Sequence, residues 1–415
     1  MKNLLIAQSG GPTAVINSSL AGVAEAACVS SRVDGILGAF YGIQGVLNER
    51  FVDLKKVLKS SKESSLLCQT PASLLGSCRY SLKPWRENEE EYEKLVGILR
   101  KHHISYFIYI GGNDSMDTVF KMSEYLKEKE IEDILIAGVP KTIDNDLEGT
   151  DHCPGFGSAA KYVAATVAEL ERDISVYPVP GVTIVEIMGR NAGWLAAASA
   201  LSRINGGPGP ELIYLCETSF SMERFLVDMK RVMARKKSFL IAVSEGLKDE
   251  YGCYISEQVQ TAQTDAFGHK YISGAGKILE NLIRSRLDCK VRTVELNLMQ
   301  RCAAHIASET DLKEAWMLGG KALQCVLDGK NGEMASIRRL SSDPYIVEYT
   351  SVYSGEAANR EKKVPGEMIS GSGCDVNEKM IEYLRPLIQG ERSVKYENGI
   401  PAHLILEESL AGSMA

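Results

Sequence analysis

Short apolar runs alternate with stretches of helical spacing along most of the chain. Runs at Leu4–Ala7, Ser105–Ile110, Ile134–Val139, Val182–Ile187, Leu212–Leu215, Phe239–Val243 and Val291–Leu298 read as strands. Several are apolar almost without a break, which fits strands covered on both faces, as in parallel sheets. Between them, Ala14–Ala27, Met116–Lys127 and Ser158–Arg172 carry apolar residues at helical spacing, and another helix opens at Trp194. Strands alternating with helices predict an α/β fold with mostly parallel sheets. The run Gly206-Gly207-Pro208-Gly209-Pro210 is a loop by composition. From Ser341 onward, with Gly366, Gly371 and Gly373, the tail reads as loop-rich. The expected division is 1–150 (with part of the C-terminal region), 151–330, and an extension over 331–415 whose role the pattern leaves open.

The chain has 415 residues and a formal net charge of −7. That length accommodates two domains with ample cores. No basic stripe is present, so nothing favours nucleic acid as a partner. An anionic substrate would need a local cluster of Lys and Arg on an acidic surface. No run approaches the roughly 18 apolar residues of a membrane span. The ten cysteines are scattered, with no CxxC or Cys/His spacing. Cys216 and Cys325 sit in apolar runs and read as small buried hydrophobes. Together with a strand at the start of the chain, this predicts a reducing cytoplasmic location. The six histidines show no ligand spacing and are expected mostly at the surface or at caps. Trp85, Trp194 and Trp316 read as packing anchors, and the charged run Arg86–Lys94 as a solvated helix face. His269 and Lys270, near Gly274, suit either an anionic ligand or a helix start.

The chemistry concentrates at strand ends. Ser9-Gly10-Gly11 lies between a strand and a helix, where backbone N–H groups bind phosphate, although an ordinary turn is the commoner reading of a lone Gly-Gly. Gly111-Gly112-Asn113-Asp114-Ser115 is a second such junction. Its glycines let a phosphate approach the backbone, and Asn113 and Asp114 offer oxygen to Mg²⁺. Helix capping is the other reading, and for Ser115 the better one. Pro140-Lys141-Thr142-Ile143-Asp144-Asn145-Asp146 follows a buried strand. Two carboxylates two apart on a strand end share a face. One suits a base, the other a metal contact or a solvated position, and the neighbouring lysine lowers carboxylate pKa values and neutralises phosphate. The bland reading is an Asx-turn, which Asp and Asn favour. In a parallel sheet these strand ends share one edge, where ligands bind.

The segments Gly111–Ser115 and Pro140–Asp146, with Met188-Gly189-Arg190, resemble the 6-phosphofructokinase family, and the Lys141 and Asp114 choices resemble its pyrophosphate-dependent branch. The resemblance covers residues 3 to 330. It implies two Rossmann-like domains of phosphofructokinase type with the active site in the cleft between them. The donor would bind the first domain and fructose 6-phosphate the second. It also implies reversible Mg²⁺-dependent phosphorylation of fructose 6-phosphate at C1 by pyrophosphate, in a homodimer or homotetramer. Asp144 matches the base, with Thr142 beside it in the substrate site. Met188, Gly189 and Arg190 match the segment that holds the sugar phosphate and steadies the transferred group. Glu245 matches a sugar-binding glutamate, Arg301 a 6-phosphate arginine, and Arg292 a second one reaching across from a neighbouring subunit. On the donor side Gly11, Gly112, Arg79, Asp114 and Lys141 match, and Asn113 takes the place of the metal-binding Asp.

ATP-type members have glycine where this chain has Asp114 and Lys141. A carboxylate at Asp114 fills the space of an α-phosphate and repels it, and Lys141 stabilises a pyrophosphate leaving group. Ile43 and Thr118 likewise replace residues used near the nucleotide. Three further departures are Asn113 for Asp, Leu298 for a sugar-contacting His, and Gly181 for a cross-subunit arginine. Ala21 and Glu25 replace effector-binding arginines, so little regulation by nucleotide diphosphates or phosphoenolpyruvate is expected. The competing readings are an ATP-dependent phosphofructokinase and a non-catalytic sugar-phosphate-binding subunit. Retention of both Asp144 and Arg190 argues against the second.

Overall fold

The computed structural model describes residues 1–176, 178–258 and 274–406. His269 and Lys270 lie outside these residues. Eleven strands build two sheets: β1 Asn3–Gln8, β2 Ile36–Ala39, β3 Phe51–Asp53, β4 Ile104–Gly111, β5 Leu135–Pro140, β6 Gly181–Ile187, β7 Pro210–Tyr214, β8 Ser238–Ser244, β9 Lys290–Glu295, β10 Glu333–Ser342 and β11 Tyr345–Tyr353. The larger sheet has the order β11-β10-β5-β4-β1-β2-β3, and the smaller one β7-β8-β6-β9. The smaller sheet is parallel throughout. In the larger, only the β2–β3 and β10–β11 edge pairs are antiparallel.

Helices cover both faces of the larger sheet, which is why β1 and β4 read as nearly unbroken apolar runs. Leu5, Phe107 and Ile136 belong to one core beneath the sheet, and Leu4, Ile108 and Val139 to another above it. The two sets alternate because successive side chains point to opposite faces. A third core joins Phe156, Val163, Val185 and Ala242 of the second unit to Val364, Met380 and Leu387 of the tail.

The helix expected from Met116 starts three residues earlier, spanning Asn113–Glu128, so the GGNDS segment is already the helix N-terminus. The expected strand Val291–Leu298 spans Lys290–Glu295, after which the chain turns into the short helix Met299–Cys302. The helical part of the Arg86–Lys94 run begins only at Glu89. The loop-rich reading of the tail is corrected most. β10 and β11 add two strands to the larger sheet, and Glu378–Leu384 is a helix packed on the second unit. Each of these elements completes its core with elements far away in sequence, so the local pattern alone did not place them.

All ten cysteines are unpaired. Trp194 is buried, whereas Trp316 is partly exposed and donates its ring N–H to Glu25 at 3.1 Å. No helix among the described residues is long and apolar enough to cross a membrane.

Candidate active site

Chain order reverses between β1 and β4 in the larger sheet, and between β6 and β9 in the smaller. Such switch points open a crevice at the strand C-termini. Ser9-Gly10-Gly11 follows β1, Gly112 follows β4 and Lys141 follows β5. Met188-Gly189-Arg190 follows β6, Glu245 follows β8, and Arg301 lies just beyond β9. Loops from both sheets therefore meet in one cleft of about 640 Å³. Gly11, Arg79, Gly112, Asn113, Asp114, Lys141, Thr142, Asp144, Met188, Arg190, Glu245 and Arg301 all line it.

The donor-side loops are tied to one another. Ser9 N–H donates to Ile110 O at 2.9 Å, and Lys141 N–H to Gly111 O at 2.9 Å. The Ser9 and Ser115 hydroxyls pair across the gap between β1 and β4. Ser115 thus binds the neighbouring loop instead of capping: the helix N-cap is Gly112, with no side-chain bond. Lys141 is almost completely buried, at 2% exposure, and its ammonium donates to Gly11 O. Burial lowers its pKa to about 8, although the Asp146 and Asp144 carboxylates pull the other way.

Asp144 and Asp146 do not lie on a strand, as the spacing suggested. β5 ends at Pro140, and Asn145 between the two carboxylates has φ 57°. Both still line the cleft. Asp144 N–H donates to Thr142 Oγ1 at 3.1 Å, while its own Oδ1 is buried with no hydrogen-bond partner. Burial raises the Asp144 pKa to about 7, with the Asp146 carboxylate adding to it and Lys141, Arg190 and Arg301 opposing. The lysine was expected to lower the carboxylate pKa. It does pull that way, but desolvation is the larger effect.

On the acceptor side Gly189 adopts φ 128°, a region that favours glycine. It sits behind the cleft wall, donating its N–H to Glu245 Oε1 at 3.2 Å and accepting from Ser244 Oγ at 2.6 Å. Burial and the Asp144 charge raise the Glu245 pKa to about 8. A Cβ on Gly246 would lie 1.9 Å from Arg190 O, so only glycine lets the two loops approach this closely. Burial and the adjacent Arg79 charge lower the Arg301 pKa.

Two predicted residues are placed differently. Arg292 lies on β9, exposed, beside a groove with Val179, Gly181 and Ser238, and does not reach this cleft. Asn113 lines the cleft, but its amide is engaged on both sides. Its Oδ1 accepts from Asn359 N–H at 2.6 Å, and its Nδ2 donates to Arg360 O at 3.0 Å. Asn113, expected as a metal ligand, thus also holds the tail through both ends of its amide. Leu298 is exposed and lies outside the cleft lining. Ile43 is buried, and Thr118 turns its hydroxyl back to Asp114 O at 3.0 Å.

The sequence reading missed Tyr80, Tyr109, Asn191, Asn359 and Glu361, which also line the cleft. Asn359 and Glu361 stand in a charged tail segment with no periodicity or glycine signature to single them out.

Among the described residues no group of three or more His, Cys, Asp or Glu stands ready to hold a metal. Mg²⁺ commonly uses one or two carboxylates, with waters and substrate phosphates completing its shell. Asp114 and Asp146, in a cleft of oxygen donors, fit that mode.

The phosphofructokinase family model matches residues 3–326. A pyrophosphate–fructose 6-phosphate 1-phosphotransferase from Halomonas elongata is 39% identical over 405 residues, covering 96% of this chain and 94% of that protein. The solved pyrophosphate-dependent phosphofructokinase of Nitrosospira multiformis superposes with a TM-score of 0.86 at 36% identity, covering 97% of this chain and 95% of its own. That of Marinobacter aquaeolei gives 0.87 at 34% identity, covering 100% and 98%. Matched over most of its length by the family model and nearly end to end by such a relative, this chain belongs to the phosphofructokinase family.

Proposed function

We propose that this protein catalyses the reversible phosphorylation of fructose 6-phosphate at C1 by pyrophosphate, yielding fructose 1,6-bisphosphate and phosphate, as a step of glycolysis or its reversal. The observation that carries this reading is Lys141, a buried cation fixed between the donor loops and the Asp144–Asp146 carboxylates, with Asp114 in the same cleft. Asp144 removes the C1 hydroxyl proton. The resulting oxygen attacks one phosphorus of pyrophosphate, the bridging P–O bond breaks, and phosphate leaves toward Lys141. Arg190 offsets the negative charge that spreads over the transferred group.

Thr142, Met188, Gly189 and Glu245 shape the sugar site, and Arg301 holds the 6-phosphate. Gly11, Gly112 and Arg79 receive the donor. Mg²⁺, bound by Asp114 and Asp146 with donor oxygens, would neutralise phosphate charge. Residues 1–150 with β10 and β11 make the donor-binding unit and 151–330 the fructose 6-phosphate-binding unit, except that the helix Glu309–Leu327 goes with the donor-binding unit, since its Leu318, Ala322 and Val326 belong to the core of the larger sheet. The enzyme works in the cytoplasm as a homodimer or homotetramer, with Arg292 completing a neighbour's site. Effector arginines are replaced, and Glu25 is bonded to Ser64 and Trp316, so activity is independent of nucleotide effectors.

The deciding assay gives the protein fructose 6-phosphate and Mg²⁺ with pyrophosphate, with ATP, or with no donor. Turnover is expected with pyrophosphate, and D114G is expected to gain measurable ATP use. Faster turnover of the wild type with ATP would overturn the donor assignment.

A further inference from the structure

The segment 359–364 crosses the cleft from its donor side to its acceptor side, as a strap anchored at three places. At the donor end the Asn113 amide grips the Asn359 N–H and the Arg360 carbonyl, and Asn359 Nδ2 donates to Asp117 at 2.9 Å. In the middle, Lys362 N–H donates to Asp146 O at 2.7 Å, and Glu361 bridges antiparallel to Leu147. The buried face of Lys362 adds bonds from its ammonium to Thr150 O at 3.2 Å and Asp151 O at 2.6 Å. At the acceptor end, Trp194 donates to Lys362 O at 3.0 Å. Val364 N–H donates to Glu217 Oε1 at 2.9 Å, the same oxygen that accepts from Gly193 N–H at 2.9 Å.

Between these anchors Glu361 turns its side chain into the cleft wall, where Oε1 accepts from Asn191 Nδ2 at 2.6 Å. Asn191 directly follows Arg190, and its own Oδ1 accepts from Tyr254 OH at 3.2 Å. Asn191 is thereby held from two sides. Few constraints come from within the loop, since it leaves β6 through Gly189 and has no regular structure before Trp194.

We infer that Glu361 is a positioning residue for phosphoryl transfer, acting through Asn191 on the Arg190 loop, and that Asn113 is the clamp that delivers it. The inference rests on the reading of this cleft as the phosphotransferase site. A carboxylate facing a cleft for two anions is electrostatically unfavourable unless its oxygen has other work. Here that work is the bond to Asn191. The hydrogen bond, not the charge, is what the site uses. The strap also links the two substrates' halves of the cleft, so a change at Asn113 on the donor side reaches Arg190 on the acceptor side.

The test compares wild type, E361A, E361Q, N113A and the N113A/E361A double variant. Steady-state kinetics with pyrophosphate and fructose 6-phosphate is one readout, and hydrogen exchange of the 188–193 amides is the other. E361A is expected to lose about ten- to a hundredfold in kcat/KM for fructose 6-phosphate, as misplaced charge-stabilising groups do. E361Q keeps an acceptor for Asn191 and should stay within about threefold of wild type. N113A should speed exchange at 188–193 as E361A does, and the double variant should be no worse than the weaker single, because both break one linkage. Wild-type kinetics in E361A, an E361Q as impaired as E361A, or unchanged exchange in N113A would each overturn the inference. The exchange readout needs no turnover. A wild type inactive with pyrophosphate therefore sinks the proposed function alone, and unchanged exchange in an active enzyme sinks the strap alone.

Discussion

At the scale of single residues, the site is a contest between burial and charge. Asp144 and Lys141 lie close in a poorly solvated cleft, and each is pushed toward its neutral form, to about 7 and about 8. A carboxylate so displaced is a better proton acceptor near neutral pH than an ordinary aspartate. Backbone clearance matters as much. Gly246→Ala would set a methyl group 1.9 Å from Arg190 O, so the Arg190 loop must move. The expected result is a loss of about 1–3 kcal/mol in stability. A fall in kcat/KM for fructose 6-phosphate should accompany it, with the KM for pyrophosphate little changed. Thermal unfolding and steady-state kinetics check both. That the motifs holding Asp144, Lys141 and Arg190 meet in one cleft was expected from the sequence. The protonation of these residues was not, because burial is set by elements distant in the chain.

At the scale of elements, the helix Glu309–Leu327 reaches back to the segment that carries Asp144. Its Asp311 accepts the N–H groups of Gly155 and Ser158 at 2.9 and 2.8 Å, at the start of the helix Phe156–Ser175. Carboxylates are favourable at a helix N-terminus. Its Glu314 pairs with His152 Nε2 at 2.6 Å, while Asp151 lies 2.8 Å from the other ring nitrogen. The surface or capping role expected for most histidines is corrected at His152, which is 1% exposed.

Burial pushes this imidazole down, but Glu314 and Asp151 outweigh it and raise its pKa from 6.5 to about 9. A raised folded-state pKa means the stabilisation is fully present below the unfolded value and is lost as pH rises through the folded one. The melting temperature of wild type should therefore fall between about pH 6.5 and 9 more steeply than that of His152→Gln. Equal slopes in thermal scans across that range would refute the assignment. Asp151 and His152 are adjacent in sequence, yet Glu314 lies 162 positions away. That separation hid the pair.

At the scale of the whole molecule, two sheets each contribute a switch point, and the tail belongs to both units. β10 and β11 extend the larger sheet, residues 359–364 cross the cleft, and the helix Glu378–Leu384 packs on the smaller unit. Arg292 stays outside its own chain's cleft, on the exposed edge strand β9. If it serves a neighbour, as proposed, Arg292→Ala and Asp144→Asn should each cripple their own oligomer. Mixed subunits of the two variants should then recover activity, because one shared site regains both wild-type residues. No recovery after subunit exchange, confirmed by native mass spectrometry, would place Arg292 outside the site.

The alternation of strands and helices over β1, β4, β5, β6, β7, β8 and β9, the mostly parallel character of the sheets, and the glycine loops at the strand ends were readable from local pattern, whereas β2, β3, β10 and β11 were not. Periodicity and glycine-bounded strand ends are local properties, and the chemistry of a motif travels with its residues. The strap, the bond pairs of Asn113, the buried His152 and the isolation of Arg292 from its own cleft were not. Each depends on which distant segments meet, and on how much water they exclude when they do. Asn113 shows the difference most plainly: as a letter in GGNDS it stood in a metal ligand's place, and only the folded chain, by bringing Asn359 and Arg360 against its amide, made it a clamp.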